Sequence, residues 1–136
     1  MSGYTLPRSE RLRSLSAIRR LFTEGRSGFV YPFRYMVLVE SVEQPADGNN
    51  SAESYDEKSV EIMFSVPKKF HKRANKRNLL KRRMREAYRL NKSMLHEKSA
   101  GTNIDLALVY STKDILSYKT IEHAVRRILG QVDERL

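Results

Sequence analysis

Cysteine and tryptophan are absent from the 136 residues, and histidine occurs only three times. With no cysteine the chain has neither a disulfide framework nor a thiolate metal site. His71, His96 and His123 show no metal-ligand spacing, and no glycine-rich phosphate loop is present. No apolar run approaches the roughly 20 residues of a membrane-spanning helix. The first stretch, MSGYTLPRSERLR, has no signal-peptide hydrophobic region, so the expected compartment is the cytoplasm and no membrane partner is expected. Carboxylates are scarce where chemistry would need them. None form a close pair at an apolar strand end, as two-metal hydrolysis requires. Asp105, which interrupts an apolar strand, reads as a strand-end hydrogen bonder rather than a metal ligand. No catalytic residue and no metal ligand are therefore assigned. The last deficit is negative charge as a whole: 16 acids stand against 26 lysines and arginines, for a net charge of +10 and a pI near 10.0. An acidic polymer is the expected partner. The length predicts one domain over 1–136.

The cations are concentrated. From Lys68 to Lys92 the chain carries twelve cations and one anion, Glu86, a local net charge of +11. Within this stretch Leu80, Met84, Ala87, Tyr88 and Leu95 fall on one helical stripe. Asn78, Lys81, Arg82, Arg85, Arg89 and Lys92 form the opposite face. A solvated face usually mixes signs, because like charges four residues apart destabilise a helix. Here Lys81–Arg85 and Arg85–Arg89 have no acid set between them by this reading. Such a face favours phosphates, which release counterions on binding and accept two hydrogen bonds from one guanidinium. The candidate RNA-binding residues are Lys68, Lys69, Lys72, Arg73, Lys76, Arg77, Asn78, Lys81, Arg82, Arg85 and Arg89. His71, inside the basic run, is a further candidate for RNA contact, whereas His123 reads as a surface residue.

The remaining elements follow from periodicity. Residues 1–13 read as an irregular basic arm. Ser14 is placed to cap a helix over 15–24, with Gly25 as its C′ glycine. FRYMVLVE (33–40) and VEIMFSV (60–66) alternate as strands, and a short extra strand near 29–31 is admitted. Between them, 41–58 carries five acids against Lys58 and reads as a solvated mobile insertion. The basic helix is expected to run to about Lys98. IDLALVYS (104–111) is a central strand, and Ile121, Ala124, Val125, Ile128, Leu129 and Val132 define a closing helix. The order is α-β-β-α-β-α, an α+β fold with helices against a small sheet. Among the aromatics Phe64 reads as core, while Phe22 and Tyr35 read equally well as core or as base-stacking residues.

Ser65-Val66-Pro67-Lys68-Lys69, followed by Arg77, Asn78, Lys81, Arg82, Arg85 and Glu86 on the helix, resembles the protein component of bacterial ribonuclease P. That family joins an S-V-x-K-K-like strand end to a helix bearing an R-N-R motif. The resemblance covers roughly 8–130. Leu79 departs from it, standing where the family has the third motif arginine, with Arg83 beside it as the compensating cation. Ile18 stands where the family often has an aromatic, and the acidic insertion is longer than usual.

The resemblance implies several expectations. The fold is that of the second domain of ribosomal protein S5, with a left-handed β-α-β crossover; physics alone favours the right-handed form. The function is that of a ribonuclease P subunit, an endoribonuclease whose chemistry lies on its catalytic RNA, with Mg²⁺ held mainly by that RNA. The protein binds the RNA and the single-stranded 5′ leader of precursor tRNA, and it is monomeric without RNA. Phe22 and Tyr35 are the candidate leader-cleft residues. Two other classes share the basic helix. One is a ribosomal or other structural RNA-binding protein. The other is a DNA-binding regulator, for which neither a helix-turn-helix nor a dimer heptad is visible.

Overall fold

The computed structural model describes residues 10–41, 59–96 and 102–134. The first nine residues of the basic arm and the acidic insertion from 42 to 58 lie outside them. The elements are α1 (Leu15–Glu24), β1 (Arg26–Val30), β2 (Phe33–Ser41), β3 (Ser59–Ser65), α2 (Ala74–Asn91), α3 (Ser93–His96), β4 (Thr102–Tyr110) and α4 (Tyr118–Glu134). The four strands form one sheet in the order β1-β2-β4-β3. β1 and β2 are antiparallel, as are β2 and β4, whereas β3 and β4 are parallel neighbours. The segment 66–101, which contains α2, therefore connects two adjacent parallel strands.

The sheet separates two unequal layers. On one face Phe33, Tyr35 and Val37 of β2, Ile104, Leu106, Leu108 and Tyr110 of β4, and Val60 and Ile62 of β3 are buried beneath α2 and α4. The helices contribute the residues that periodicity selects: Leu80, Met84, Ala87 and Tyr88 from α2, and all six from α4. On the other face α1 covers only part of the sheet. Leu12, Leu21 and Ala107 are buried there, with Ile18, Met36, Leu38 and Met63 packed around them. Because side chains alternate along a strand, Arg34 and Met36 share this half-covered face while Phe33 and Tyr35 share the closed one.

Four boundaries differ from the expectations. Ser14 does cap α1, its Oγ accepting from the Ala17 N–H at 3.3 Å. Gly25 follows with an extended backbone, not a left-handed one. Its value is close approach, since a Cβ there would sit 2.5 Å from the Leu21 carbonyl oxygen. β1 is longer than the short strand admitted near 29–31; its pairing with β2 overrides the weak strand propensity of Ser27 and Gly28. α2 stops at Asn91 rather than near Lys98, and the Asn91 amide turns back to donate to the Ala87 carbonyl. The short α3 that follows buries Leu95. Finally, the end of the arm is not irregular: Arg11 bridges Ile62 in parallel fashion, and the Leu12 N–H donates to the Ile62 carbonyl at 2.9 Å.

Candidate nucleic-acid interface

Two surfaces result. The first is a groove on the half-covered sheet face. Phe22 on α1, Ser27, Gly28 and Phe29 on β1, and Arg34 and Met36 on β2 line its first part. Phe29 and Arg34 continue into a second part, completed by Pro67, Lys69, Phe70, Val109 and Ser111. Phe22 and Phe29 are 44% and 59% exposed, which is high for phenylalanine beside a core. The Lys69 ammonium stands 5.1 Å from the Phe70 ring centroid, a cation–π distance. The groove therefore alternates aromatic faces with cations, the pattern that holds single-stranded nucleic acid.

Tyr35 does not belong to this groove. It is 1% exposed and lies on the closed face, where its hydroxyl donates to Gln131 Oε1 at 2.6 Å. Its ring covers Gly28, where an added Cβ would come within 2.5 Å of the ring. Of the two predicted cleft residues the structure thus brings only Phe22 to the groove. Sequence reasoning misses Phe29, Arg34 and Phe70. Phe29 falls in the glycine-rich loop stretch, and Phe70 is hidden among cations, although an aromatic flanked by Lys69 and His71 was the available signal.

The second surface is α2 and the loop before it. Lys68, Lys69, Lys72, Arg73, Lys76, Asn78, Arg82 and Arg85 are exposed, and Lys81 is partly so. Arg73 precedes α2 as its N-cap and makes no side-chain cap bond, and the first turn holds no acid. Lys76 and Arg77 there have the sign that the helix dipole disfavours. Four cations of the stretch are engaged within the protein. Arg77 Nη1 donates to the carbonyls of His71 at 3.0 Å and Lys72 at 2.7 Å, holding the loop against the helix. Arg83 donates to the Leu116 carbonyl, so it is not simply a substitute for the motif position that Leu79 occupies. Arg89 grips Glu86 with two nitrogens, at 3.1 and 2.6 Å. That pairing, more than any charge at a distance, holds the Glu86 carboxyl below its usual range. It also corrects the expectation of an uncompensated Arg85–Arg89 pair, because Glu86 supplies an acid beside it. Lys92 is buried and meets Glu10 at 2.9 Å. His71 is buried too: its Nε2 lies 2.8 Å from the Thr112 carbonyl and its ring rests on Tyr110, which anchors the basic loop rather than exposing the imidazole.

Asp105 has no metal-site company. Among the described residues no group of three or more His, Cys, Asp or Glu is arranged to hold an ion. Burial raises its carboxyl above the ordinary 3.8, Glu61 in register on β3 adds to this, and Arg20 opposes it. A raised carboxyl binds its proton more tightly when folded, so stability falls as pH climbs from 3.8 through the raised value. Asp105→Asn is therefore expected to raise Tm at pH 7, with the gain vanishing below about pH 3, where both states are protonated. A pH-independent Tm difference would contradict this.

The family model described as Ribonuclease P matches residues 6–133. The chain is 32% identical over 131 residues to the ribonuclease P protein component of Porphyromonas gingivalis, covering 95% of this chain and 87% of that one. It is 40% identical over 93 residues to the component from Chlorobaculum tepidum, covering 66% of this chain and 53% of that one. Among solved structures it is similar to the ribonuclease P protein of Staphylococcus aureus, with a TM-score of 0.65 at 19% identity, over 92% of this chain and 96% of that one. The Thermotoga maritima protein gives 0.61 at 24%, over 90% and 96%.

Proposed function

Because the chain belongs to the ribonuclease P protein family, we propose that it serves the enzyme as a two-sided RNA clamp. The α2 face binds the catalytic RNA, the sheet groove holds the single-stranded 5′ leader of precursor tRNA, and the RNA carries the phosphodiester hydrolysis. The observation that supports this reading best is the groove itself, where Phe22, Phe29 and Phe70 alternate with Arg34 and Lys69. Unstacked bases can lie on the rings while the cations meet the phosphates between them. A structural RNA-binding protein with no leader to hold has no use for such a groove. Holding the leader adds binding energy that mature tRNA lacks, so substrate is favoured over product. We assign the Mg²⁺ of the reaction mainly to the RNA subunit, and no step is routed through a protein-bound ion.

Photo-crosslinking tests the groove. A precursor tRNA with photoreactive nucleotides in its leader, bound to the holoenzyme, is expected to label peptides containing Phe29 and Phe70. Labelling confined to α2 would contradict the assignment.

A further inference from the structure

A third recess lies at the outer edge of β3, between residues 10–13 and α2. Arg11, Met63, Phe64, Lys81 and Arg85 line it, with Leu12 and Ile62 at its base. It shares no lining residue with the sheet groove, but it shares Lys81 and Arg85 with the α2 face.

The recess is held by three contacts. Leu12 is buried under α1, its N–H is bonded to the Ile62 carbonyl, and Glu10 pairs with Lys92, whose side chain is only 8% exposed. Burying an ion pair carries a desolvation cost, and what such a pair contributes is geometry. Here it fixes the residues on either side of Arg11, and so sets Arg11 beside two cations one helical turn apart. Among the described residues neither Lys81 nor Arg85 makes an ion pair. The fourth wall is Phe64, partly buried and set by an edge-to-face contact with Tyr88 at 6.1 Å between centroids.

Three cations from two elements around one aromatic ring suit a ligand that is anionic on one side and flat and apolar on the other. A free phosphate has no use for the ring, and an apolar peptide has none for the cations. A nucleotide uses both. We infer that this recess seats a single unstacked nucleotide of the catalytic RNA, its phosphate between Arg11, Lys81 and Arg85 and its base on Phe64. The catalytic RNA, rather than the leader, is the source because the recess is continuous with the α2 face and separate from the groove. This rests on the reading of α2 as the RNA-subunit face and adds a sequence- or shape-sensing element to it, since an unpaired base must be present at one position.

The test uses the full-length protein and the ribonuclease P RNA of the same cell, with affinity measured across a salt series and the RNA probed at nucleotide resolution. Arg11→Ala and Phe64→Leu are each expected to weaken binding about tenfold. Arg11→Ala also lowers the log–log salt slope by about one, whereas Phe64→Leu leaves it unchanged, because it removes a stacking surface and no charge. Both expose the same unpaired nucleotide to the probe. Arg11 is exposed, and leucine keeps an apolar side chain against Tyr88, so neither change removes a fully buried group. Wild-type affinity and footprint in both variants would overturn the recess while leaving the α2 assignment standing. Loss confined to precursor tRNA would overturn the catalytic RNA as its source. A wild-type protein that fails to bind the RNA subunit would overturn both.

Discussion

Replacing Lys81, Arg82 and Arg85 together by alanine is expected to weaken binding to the ribonuclease P RNA by about a thousandfold at moderate salt, with a log–log salt slope shallower by about two to three. The slope is the informative quantity. Each phosphate left without its cation takes roughly 0.9 from it, whatever happens to packing. The three side chains lie on the accessible side of α2, opposite Leu80, Met84 and Ala87, so the helix stays seated on the core. Arg77→Ala is expected to behave differently. Its guanidinium holds the carbonyls of His71 and Lys72, one bond part-buried and one exposed, and losing them costs about 1 kcal/mol of stability. Its main signature is thus a lowered Tm and a loosened basic loop. An unchanged affinity and slope in the triple variant would remove α2 from the interface.

The second large effect concerns substrate choice. Phe22→Ala with Phe29→Ala is expected to reduce the preference of the reconstituted enzyme for precursor over mature tRNA by about thirtyfold or more, as base stacking is worth roughly 1–3 kcal/mol per ring. Mature tRNA affinity stays constant, because it has no leader. Both rings stand at the surface rather than in the core, so thermal stability changes far less than on truncating a core residue. Tyr35→Ala is the contrast: it opens a cavity in the closed core, strands Gln131 and uncovers Gly28, at about 3–5 kcal/mol. Equal loss of precursor and mature tRNA binding in the phenylalanine variant would show that the groove does not hold the leader.

These contrasts mark where the sequence was legible. The apolar stripes of α2 and α4 announced their buried residues because a 3.6-residue period leaves little choice of face. The alternation of FRYMVLVE located β2 but could not say which face stays open. The pattern separates Phe33 and Tyr35 from Met36, but only the partial cover of α1 decides that the Met36 face is the open one. Charge counting located a stretch whose cations are mostly exposed. It could not tell cations directed at solvent from those directed inward, because Arg77, Arg83, Arg89 and Lys92 find carbonyls or acids distant in sequence or a turn away. The pairing of Glu10 with Lys92 spans the whole basic stretch and leaves no local pattern. Phe29 and Phe70 were hidden for the same reason: strand pairing and a loop turn, not periodicity, bring them together around Arg34.

The most direct measurement is reconstitution. The purified protein is mixed with the ribonuclease P RNA of the same cell at low Mg²⁺, and release of the 5′ leader from labelled precursor tRNA is followed. The account predicts cleavage at the mature 5′ end only when both components are present, lost in the triple α2 variant and less selective for precursor in the Phe22/Phe29 variant. Tight RNA binding with no stimulated cleavage would contradict it and leave a structural RNA-binding protein.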